Sequence, residues 1–432
     1  MGGKESSRRT RRLHPACTFL RKRRQSGSEM TGVRLGWLAL ASVALNAQTR
    51  DPAETLVATR SRVLASLEKL PAISCTETIN RSYFRRASHV TLPRSCDQIH
   101  VDFKKSRYKL DLTATDRLHL RVFIGSGSEL LSWMDPLPFE WHAIEEVLAD
   151  GPIGTGPLGA FLTDLFVGAG STIEYIGAQD GSLVYRFREA EGDSHYRARA
   201  GVNWFTTGDG GRFFVDPVSL MLKRLVVETS TLPPETSMCE ANVTVDYATT
   251  RAGADDVLHP VEAEWQNVLV NADETKSTVS YSSCTADRPP PAPAAHTASA
   301  FPPGLPITLA LDDPIDLDKA AAGDIVSATV TTAVPARHAG QPAAAKGAKV
   351  RGRILNLEHR LAPEKYFLVA ISFDVIDTTG GVSPVHMVLD RGAMLGPQVR
   401  KGSSRWPKLT LVVPDYRHEI PKGFKSRWVT EE

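Results

Sequence analysis

The sequence has few cysteines and no long apolar run after its first 47 residues. Only five cysteines occur among 432 residues; of the four after residue 47, no two have the close spacing of a zinc site and none has a histidine beside it. No later segment keeps an apolar character over the roughly 20 residues that a transmembrane helix needs. The 51 basic and 49 acidic residues nearly balance. The composition therefore disfavours a metal site and a membrane-spanning protein.

Motifs of known catalytic chemistry are also missing. The glycine-rich run at 151–159 has no Lys-Ser or Lys-Thr pair after it, so a turn before a helix is favoured over a phosphate-binding loop. The stretch Gly125–Glu129 lacks the last glycine of a nucleophile elbow. The 12 histidines include no pair at the spacing of a zinc protease. We predict no enzyme, no catalytic residue, no metal and no cofactor.

One pair of acids deserves separate weighing. Glu145 and Glu146 lie near Trp141 and His142, and aromatic residues beside paired acids are typical of sugar-binding clefts. A glycosidase needs two carboxylates about 5–10 Å apart across a groove. Adjacent residues of a helix point about 100° apart, which makes sugar hydrolysis the weaker hypothesis.

The segment Met30–Ala47 has the order of an export signal. Arg34 precedes an apolar run from Leu35 to Leu45, and Ala47 is a small residue at the expected cleavage point. The run is too short for a permanent membrane anchor. We therefore predict a signal peptide at 30–47, a mature chain that begins near Gln48, and a periplasmic or secreted location.

The segment before Met30 is strongly basic. It suits a nucleic-acid or membrane-surface arm, a twin-arginine signal, or an upstream extension that is untranslated or disordered. We favour the extension for residues 1–29, because their basic run is too far from the apolar run to serve it. Ten of the 51 basic and two of the 49 acidic residues precede Gln48, so the mature chain would hold 41 against 47, a formal charge of −6. This balance argues against nucleic acid as a partner.

The first part of the mature chain, residues 48–286, has the pattern of a covered antiparallel sheet. Apolar residues at helical spacing predict a helix over Pro52–Leu70, with an apolar stripe that includes Leu56, Val63 and Leu67. Alternation of apolar and polar residues from Ile73 to Val122, including the segment IHVDF, and again up to Cys284, predicts about ten strands. Two short helices are expected in between, from Phe139 to Leu148 and from Leu158 to Phe166.

A proline- and alanine-rich linker at 287–303 separates this part from residues 304–432, in which five more strands predict a small closed or partly closed barrel. The predicted fold class is α+β, mostly antiparallel β: a long curved meander, or half-barrel, plugged by helices and followed by a small β-barrel domain.

Four cysteines remain after the predicted cleavage, which suggests two disulfides in an exported chain. Sequence alone allows three connectivities. We favour Cys75–Cys96 and Cys239–Cys284, because each pair would join the ends of one local β segment. Free buried thiols are the alternative.

Apolar side chains of the two short helices are the candidate ligand-binding residues. A single-layer meander cannot cover its own apolar face, so these side chains either line a groove for an acyl chain or simply close the core. The sequence leaves both alternatives open. The candidates are Phe139, Phe161, Leu162, Leu165 and Phe166.

Four stretches of the first domain, in a fixed order, resemble a family of uncharacterised secreted bacterial proteins. They are 70–81 (LPAISCTETINR), 151–168, 213–228 and the final YSSC at 281–284. The architecture is also similar to the periplasmic lipoprotein carriers of the LolA type and their sensor relatives, which hold acyl chains inside an unclosed half-barrel. The secreted family brings no catalytic residues; the carrier resemblance implies a hydrophobic ligand.

The second domain resembles the C-terminal β-barrel of TrbI-type components of conjugation and type IV secretion channels. The resemblance rests on residues 305–334 and on the segment AKGAKVRGRI at 345–354. It implies an assembly module without an active site. An alanine-rich insertion at 338–345 departs from the pattern.

These observations predict an exported, non-enzymatic protein of the cell envelope. Its half-barrel would bind a lipid, another hydrophobic ligand or a lipoprotein, and its barrel would bind another envelope protein. The alternative hypothesis is a purely structural or assembly module with no small-molecule ligand.

Overall fold

The computed structural model describes most of the chain after residue 50. The predicted signal peptide, Phe139 and the acids Glu145 and Glu146 lie outside the described residues. The described ranges are 51–69, 74–89, 91–93, 95–104, 109–125, 128–138, 144, 156–168, 170–194, 196–200, 203–229, 232–252, 255–285, 297–336, 343–390, 399–400 and 410–431.

A sheet of ten antiparallel strands forms the first half of the fold, as the alternating pattern predicted. Its order is β3-β2-β1-β12-β11-β10-β9-β8-β5-β4, and β6 and β7 form a separate hairpin. The strands are β1 Ser74–Arg86, β2 Leu110–Gly125, β3 Ser128–Trp133, β4 Thr172–Gln179, β5 Ser182–Glu189, β6 Arg197–Ala200, β7 Asn203–Thr206, β8 Asp209–Val215, β9 Leu222–Glu228, β10 Met238–Ala252, β11 Asp255–Leu269 and β12 Glu274–Thr285.

Three α-helices accompany this sheet in the described part of the chain: α1 Pro52–Leu67, α2 Cys96–Lys104 and α3 Ala160–Val167. The carboxylate of Asp51 caps α1 by accepting the N–H of Ala53 at 2.9 Å. Helix α2 corrects a prediction, because it contains the segment IHVDF, for which the alternating pattern predicts a strand. The Ser95 hydroxyl caps this helix by accepting the N–H of Gln98, and Ile99 of the helix is fully buried. Five alternating residues are too few to distinguish a strand from one helical turn and its neighbours.

Six strands of the second half close into a barrel, in the order β13-β15-β16-β17-β18-β22 and back to β13. Trp428 and Phe373 pack edge to face in its core, with ring centroids 4.9 Å apart. The strands are β13 Pro306–Leu311, β14 Ile315–Asp316, β15 Ile325–Val330, β16 Lys349–Arg360, β17 Tyr366–Thr378, β18 Gly381–Leu389, β19 Val399–Arg400, β20 Thr410–Pro414, β21 Glu419–Ile420 and β22 Lys425–Thr430.

The end of the predicted linker belongs to the packing of this barrel. Phe301 is buried, and the N–H of Ala300 donates to the carbonyl of Pro384 at 2.9 Å. Because a free linker would leave such groups in solvent, residues 297–303 belong to the barrel rather than to a linker. The domain boundaries themselves stay a prediction, since 286–296 lie outside the described ranges.

The two halves share hydrogen bonds along a seam, which we define as the contact of β2 and β3 with β16 and the loop around Gly323. Strand β2 pairs with β16 at three positions, including Asp116 opposite Glu358. The guanidinium of Arg353 lies 4.8 Å from the ring of Trp133. Gly323 has φ +108°, and a side chain there would collide with the carbonyl of His119. Residues Thr49–Glu432 consequently form one compact unit.

The cysteines form two disulfides, but the favoured pairing is wrong. Cys75 is bonded to Cys284, and Cys96 to Cys239. The first bond joins β1 to β12, which are adjacent in the sheet although about 200 residues separate them. Local spacing misled the prediction because the pairing register brings the start and the end of the half-barrel side by side.

Candidate functional site

One face of the ten-stranded sheet, the inner face, is apolar and is covered by helices rather than by a second sheet. Its side chains alternate along each strand and merge into one buried cluster together with Val63 of α1 and Leu162 of α3. We define the inner face by the buried residues Ile79, Leu118, Leu120, Val122, Val243, Val245, Tyr247, Ala263, Trp265, Val279 and Tyr281.

Helix α3 brings four of the five predicted ligand-binding residues together over this face. Leu162, Leu165 and Phe166 are buried in the same cluster, and Phe161 is half-buried. The ring of Phe161 stacks on Tyr196 with centroids 5.6 Å apart, and Phe166 meets Phe213 edge to face at 5.5 Å. This packing is common to a filled core and to a covered groove, so it leaves both alternatives open.

Helix α1 packs against the apolar cluster through Val63, Leu56, Leu64 and Leu67, but it also buries hydroxyl groups that the predicted apolar stripe did not include. Its buried residues are Thr55, Thr59, Val63 and Ser66, while Leu56 and Leu67 are only half-buried. The Ser66 hydroxyl accepts the N–H of Leu258 at 3.3 Å. The hydroxyls of the two threonines are buried without a hydrogen-bond partner among the described residues. We call α1 and α3 together the cover.

A carboxyl group lies on the apolar inner face. Glu77 of β1 is fully buried between Leu120 of β2 and Tyr281 of β12, its neighbours in the sheet. The Tyr281 hydroxyl is 3.5 Å from Oε1 of Glu77, and Oε2 has no hydrogen-bond partner in the described part of the protein. Burial raises the pKa of Glu77 well above its usual value, and the charge of Glu129 raises it further.

Glu129 of β3 fastens α3 to the sheet. Its carboxylate accepts the backbone N–H groups of Gly156 and Gly159, the latter at 2.9 Å, and so serves as the cap that Gly159 cannot provide. Burial raises the pKa of Glu129 to about 7, although these backbone bonds oppose the rise. The Tyr247 hydroxyl donates to the carbonyl of Pro157 at 3.0 Å. We call Glu77, Glu129, Tyr247 and Tyr281 the acid–tyrosine cluster.

This cluster was not predicted from the sequence, although a signal for Glu77 was present. Glu77 occupies the apolar phase of the alternation, between Cys75 and Ile79. A charged residue in the buried phase of a strand marks a site whose charge must be neutralised or paired. Glu129 lies near the start of β3, and its bonds to residues 156–159 join two segments that local sequence patterns do not relate.

We expect Glu77→Gln to flatten the pH dependence of stability. A raised pKa means that the folded protein binds a proton more tightly than the unfolded chain, so the free energy of unfolding of the wild type falls as the pH rises above about 4.5. Glutamine does not titrate. As the pH rises, the variant should therefore keep on the order of 1–3 kcal/mol of the free energy of unfolding that the wild type loses. Urea unfolding at acidic and mildly alkaline pH measures both slopes.

Glu129 also has a raised pKa, of about 7, so its ionisation likewise lowers the free energy of unfolding as the pH rises toward that value. The Glu77→Gln variant should therefore keep part of the pH dependence of stability. Glu262→Gln, at an exposed position of β11, is the matched control and should keep the wild-type slope. An unchanged slope in Glu77→Gln would show that Glu77 is ionised in the folded protein and hydrated.

A second concave surface, the barrel cleft, lies on the outside of the barrel and measures about 770 Å³. Lys349 spans its floor by donating to Asp312 and to Thr329, both at 3.0 Å. Its charged lining residues are Asp312, Asp313, Lys349, Arg351, Asp377 and Lys422.

Two kinds of feature are absent from the described residues. These residues contain no group of three or more histidine, cysteine, aspartate or glutamate side chains placed to hold a metal ion. Among the same residues, no helix is long and apolar enough to cross a membrane.

The fold defines an α+β protein, mainly antiparallel, with an open ten-stranded meander and a closed six-stranded barrel. No protein-family model matches the chain, and no curated protein matches it. Among solved structures, it is distantly similar to a LolA superfamily protein from Nitrosomonas europaea, with 9% sequence identity, a TM-score of 0.23, and coverage of 53% of this chain and 95% of that one. The resemblances to the secreted family and to the TrbI-type barrel stay predictions.

Proposed function

We propose that this protein is an exported, non-enzymatic binding protein that holds a hydrophobic ligand or a lipidated partner between the inner face and the cover. The single observation that carries the proposal is the mismatch between the two surfaces. An apolar sheet is covered by a helix whose buried side includes Thr55 and Thr59, with hydroxyls that find no partner in the described structure. Valine at the same positions would seal a permanent core better.

The mismatch has an energetic meaning. Each buried hydroxyl without a partner costs about 1–3 kcal/mol, and an acyl chain gains about 0.8 kcal/mol for each methylene that it buries. A ligand that displaces α1 therefore replaces the contact of the inner face with unpartnered hydroxyls by a contact with an acyl chain, which is more favourable. Two hydrogen bonds fix α1 at its sides: the Tyr185 hydroxyl donates to the carbonyl of Pro52 at 2.7 Å, and Arg62 donates to the carbonyl of Ser219.

The export part of the proposal is supported by the two disulfides, because such bonds form and persist in oxidising compartments. It also rests on the charged and apolar order of Met30–Ala47, where the sequence predicts a signal peptide.

Native mass spectrometry and lipid extraction of protein purified from a bacterial periplasm test the proposal. We expect about one co-purified lipid per chain and, after delipidation, a rise in the fluorescence of added Nile red. A lipid-free mass together with an unchanged Nile red signal would contradict the proposal and favour the assembly module.

A variant of the cover sharpens the test. Thr55→Val/Thr59→Val should raise the free energy of unfolding by about 1–3 kcal/mol per site and slow the uptake of Nile red, since the cover then fits the inner face. Thr249→Val, at an exposed position of β10, is the control and should not change the uptake. A stabilised double variant that takes up the dye at the wild-type rate would show that the cover does not open.

The barrel cleft favours a second role, the binding of another envelope protein. Its lining includes charges of both signs, Arg351 and Lys422 together with Asp313 and Asp377, and such a lining suits a polypeptide segment better than an acyl chain. Arg351→Glu should then abolish a specific crosslink to a partner in the native host while leaving Nile red uptake intact. Persistence of the crosslink would contradict this role.

A further inference from the structure

The inner face contains a hydrogen-bonding group that the protein itself does not use. Glu77 has no solvent exposure, and its Oε2 atom has no partner in the described residues. Buried polar groups nearly always have partners, and a buried orphan therefore requires an explanation. A second inner-face group, the hydroxyl of Ser277 on β12, is also buried and without a partner.

The neighbourhood of Glu77 has a surplus of acceptors. Tyr247 directs its hydroxyl to Pro157, and Tyr281 directs its hydroxyl to the other oxygen of Glu77. Glu129 lies close enough for its charge to act on Glu77 and on both tyrosines. Neither acid forms an ion pair with a lysine or arginine of the described chain. The acid–tyrosine cluster thus presents two carboxyl groups and no cation.

An apolar path leads away from this cluster. The next inward residue of β1, Ile79, pairs with Leu118 on one side and with Val279 on the other. All three side chains are buried at 1% exposure or less. A ligand whose head group reaches Glu77 would therefore lay the next part of its chain on these three apolar side chains, before the Arg81–Asp116 ion pair that follows on β1 and β2.

We propose, on the basis of the proposed function, that the head group of the ligand is a protonated amine that binds between Glu77 and Glu129, with its alkyl chain along the inner face. An ammonium group has three donors and one positive charge. Its binding favours the ionised form of both acids, because it gives Oε2 of Glu77 a donor and the two carboxylates a counter-charge. An ionised fatty acid would place a third carboxylate beside the pair, and a fatty alcohol would supply a donor without the charge.

Three amphiphiles of equal chain length distinguish these head groups. Dodecylamine, dodecanol and dodecanoate, each below its micellar concentration, are titrated against Nile red bound to the delipidated full chain. We expect dodecylamine to displace the dye at a concentration at least tenfold lower than either of the other two. Equal potency of all three would overturn the amine head group and leave the proposed function standing. Failure of all three to displace or bind would overturn the proposed function itself.

Substitutions in the cluster assign the preference to its residues. Glu77→Gln should remove most of the tenfold preference while dodecanol still binds, because the amide retains the shape of the side chain without its charge. Glu129→Gln provides a second variant, whose preference is compared after thermal unfolding has measured the loss of one of the backbone bonds to Gly156 and Gly159. Glu262→Gln, exposed on β11, controls for nonspecific attraction of the amine to an acidic surface. If both cluster variants keep the wild-type preference, the amine binds elsewhere and the inference is wrong.

Discussion

Asp116→Ala is expected to lower the free energy of unfolding by about 3–5 kcal/mol, since removal of one partner leaves the other charge buried and uncompensated. Asp116 accepts two hydrogen bonds from Arg81, both at 2.7 Å, and one from the Tyr83 hydroxyl at 2.8 Å. The side chains of Arg81 and Asp116 are 2% and 4% exposed. Burial alone would lower the pKa of Arg81, but the charge of Asp116 and the neighbouring Tyr83 raise it above its usual value. Urea or thermal unfolding measures the loss.

A compensated variant separates the loss of a charge from the loss of packing. Arg81→Met and Asp116→Leu remove both charges, and Tyr83→Phe removes the hydroxyl that would otherwise lose its acceptor. Buried ion pairs are often replaced by apolar residues at little cost or with a gain, so the triple variant should recover to within about 1 kcal/mol of the wild type. A triple variant as unstable as Asp116→Ala would show that the ion pair itself stabilises the fold.

The position of this ion pair gives the substitution a second consequence. Asp116 of β2 lies opposite Glu358 of β16 in the strand pairing that joins the half-barrel to the barrel. Glu358 is itself 2% exposed and lies near the guanidinium of Arg360, with 2.6 Å between the charged atoms. Loss of Asp116 therefore disturbs the seam as well as the inner face. We expect the two halves to unfold less cooperatively in the variant. A fluorescent probe in the half-barrel and one in the barrel would then report unfolding transitions that no longer coincide.

The sequence predicted the architecture because alternation is a local signal. Strand β12, for example, buries Ser277, Val279 and Tyr281 in turn and leaves Lys276 and Ser280 exposed. Such a period specifies a strand with one covered face regardless of which strand lies beside it. The strand-rich meander, the helix over 160–167 and the closed barrel all follow from patterns of this kind.

The contacts between distant segments were beyond the same reasoning. The two disulfides, the pairing of β2 with β16 and the cap that Glu129 provides for α3 each join residues from separate elements. Local patterns carry no information on which elements become neighbours. The buried side of α1 was predicted only in part: Val63 is buried as expected, but Leu56 and Leu67 are half-buried, and tertiary packing also buries Thr55 and Thr59.

Removal of Cys75–Cys284 by paired alanine substitution is expected to cost about 2–5 kcal/mol, toward the upper end of that range because the closed loop is long. The two cysteines are 209 residues apart in sequence, so the crosslink strongly restricts the unfolded chain. It also joins β1 to β12 near Glu77, which lies two residues beyond Cys75 on the inner face. The variant should therefore bind Nile red more weakly as well as unfold at a lower urea concentration.

The matched control is removal of Cys96–Cys239, which closes a shorter loop of 143 residues and attaches α2 to β10. In the chain-entropy account, the dependence on loop length is logarithmic, so both variants should lose similar stability. Only the first should affect the ligand, because Cys96 and Cys239 pack in a separate small cluster with Ile99 and Val268. Equal effects on Nile red binding would show that the disulfides act on the inner face through overall stability alone.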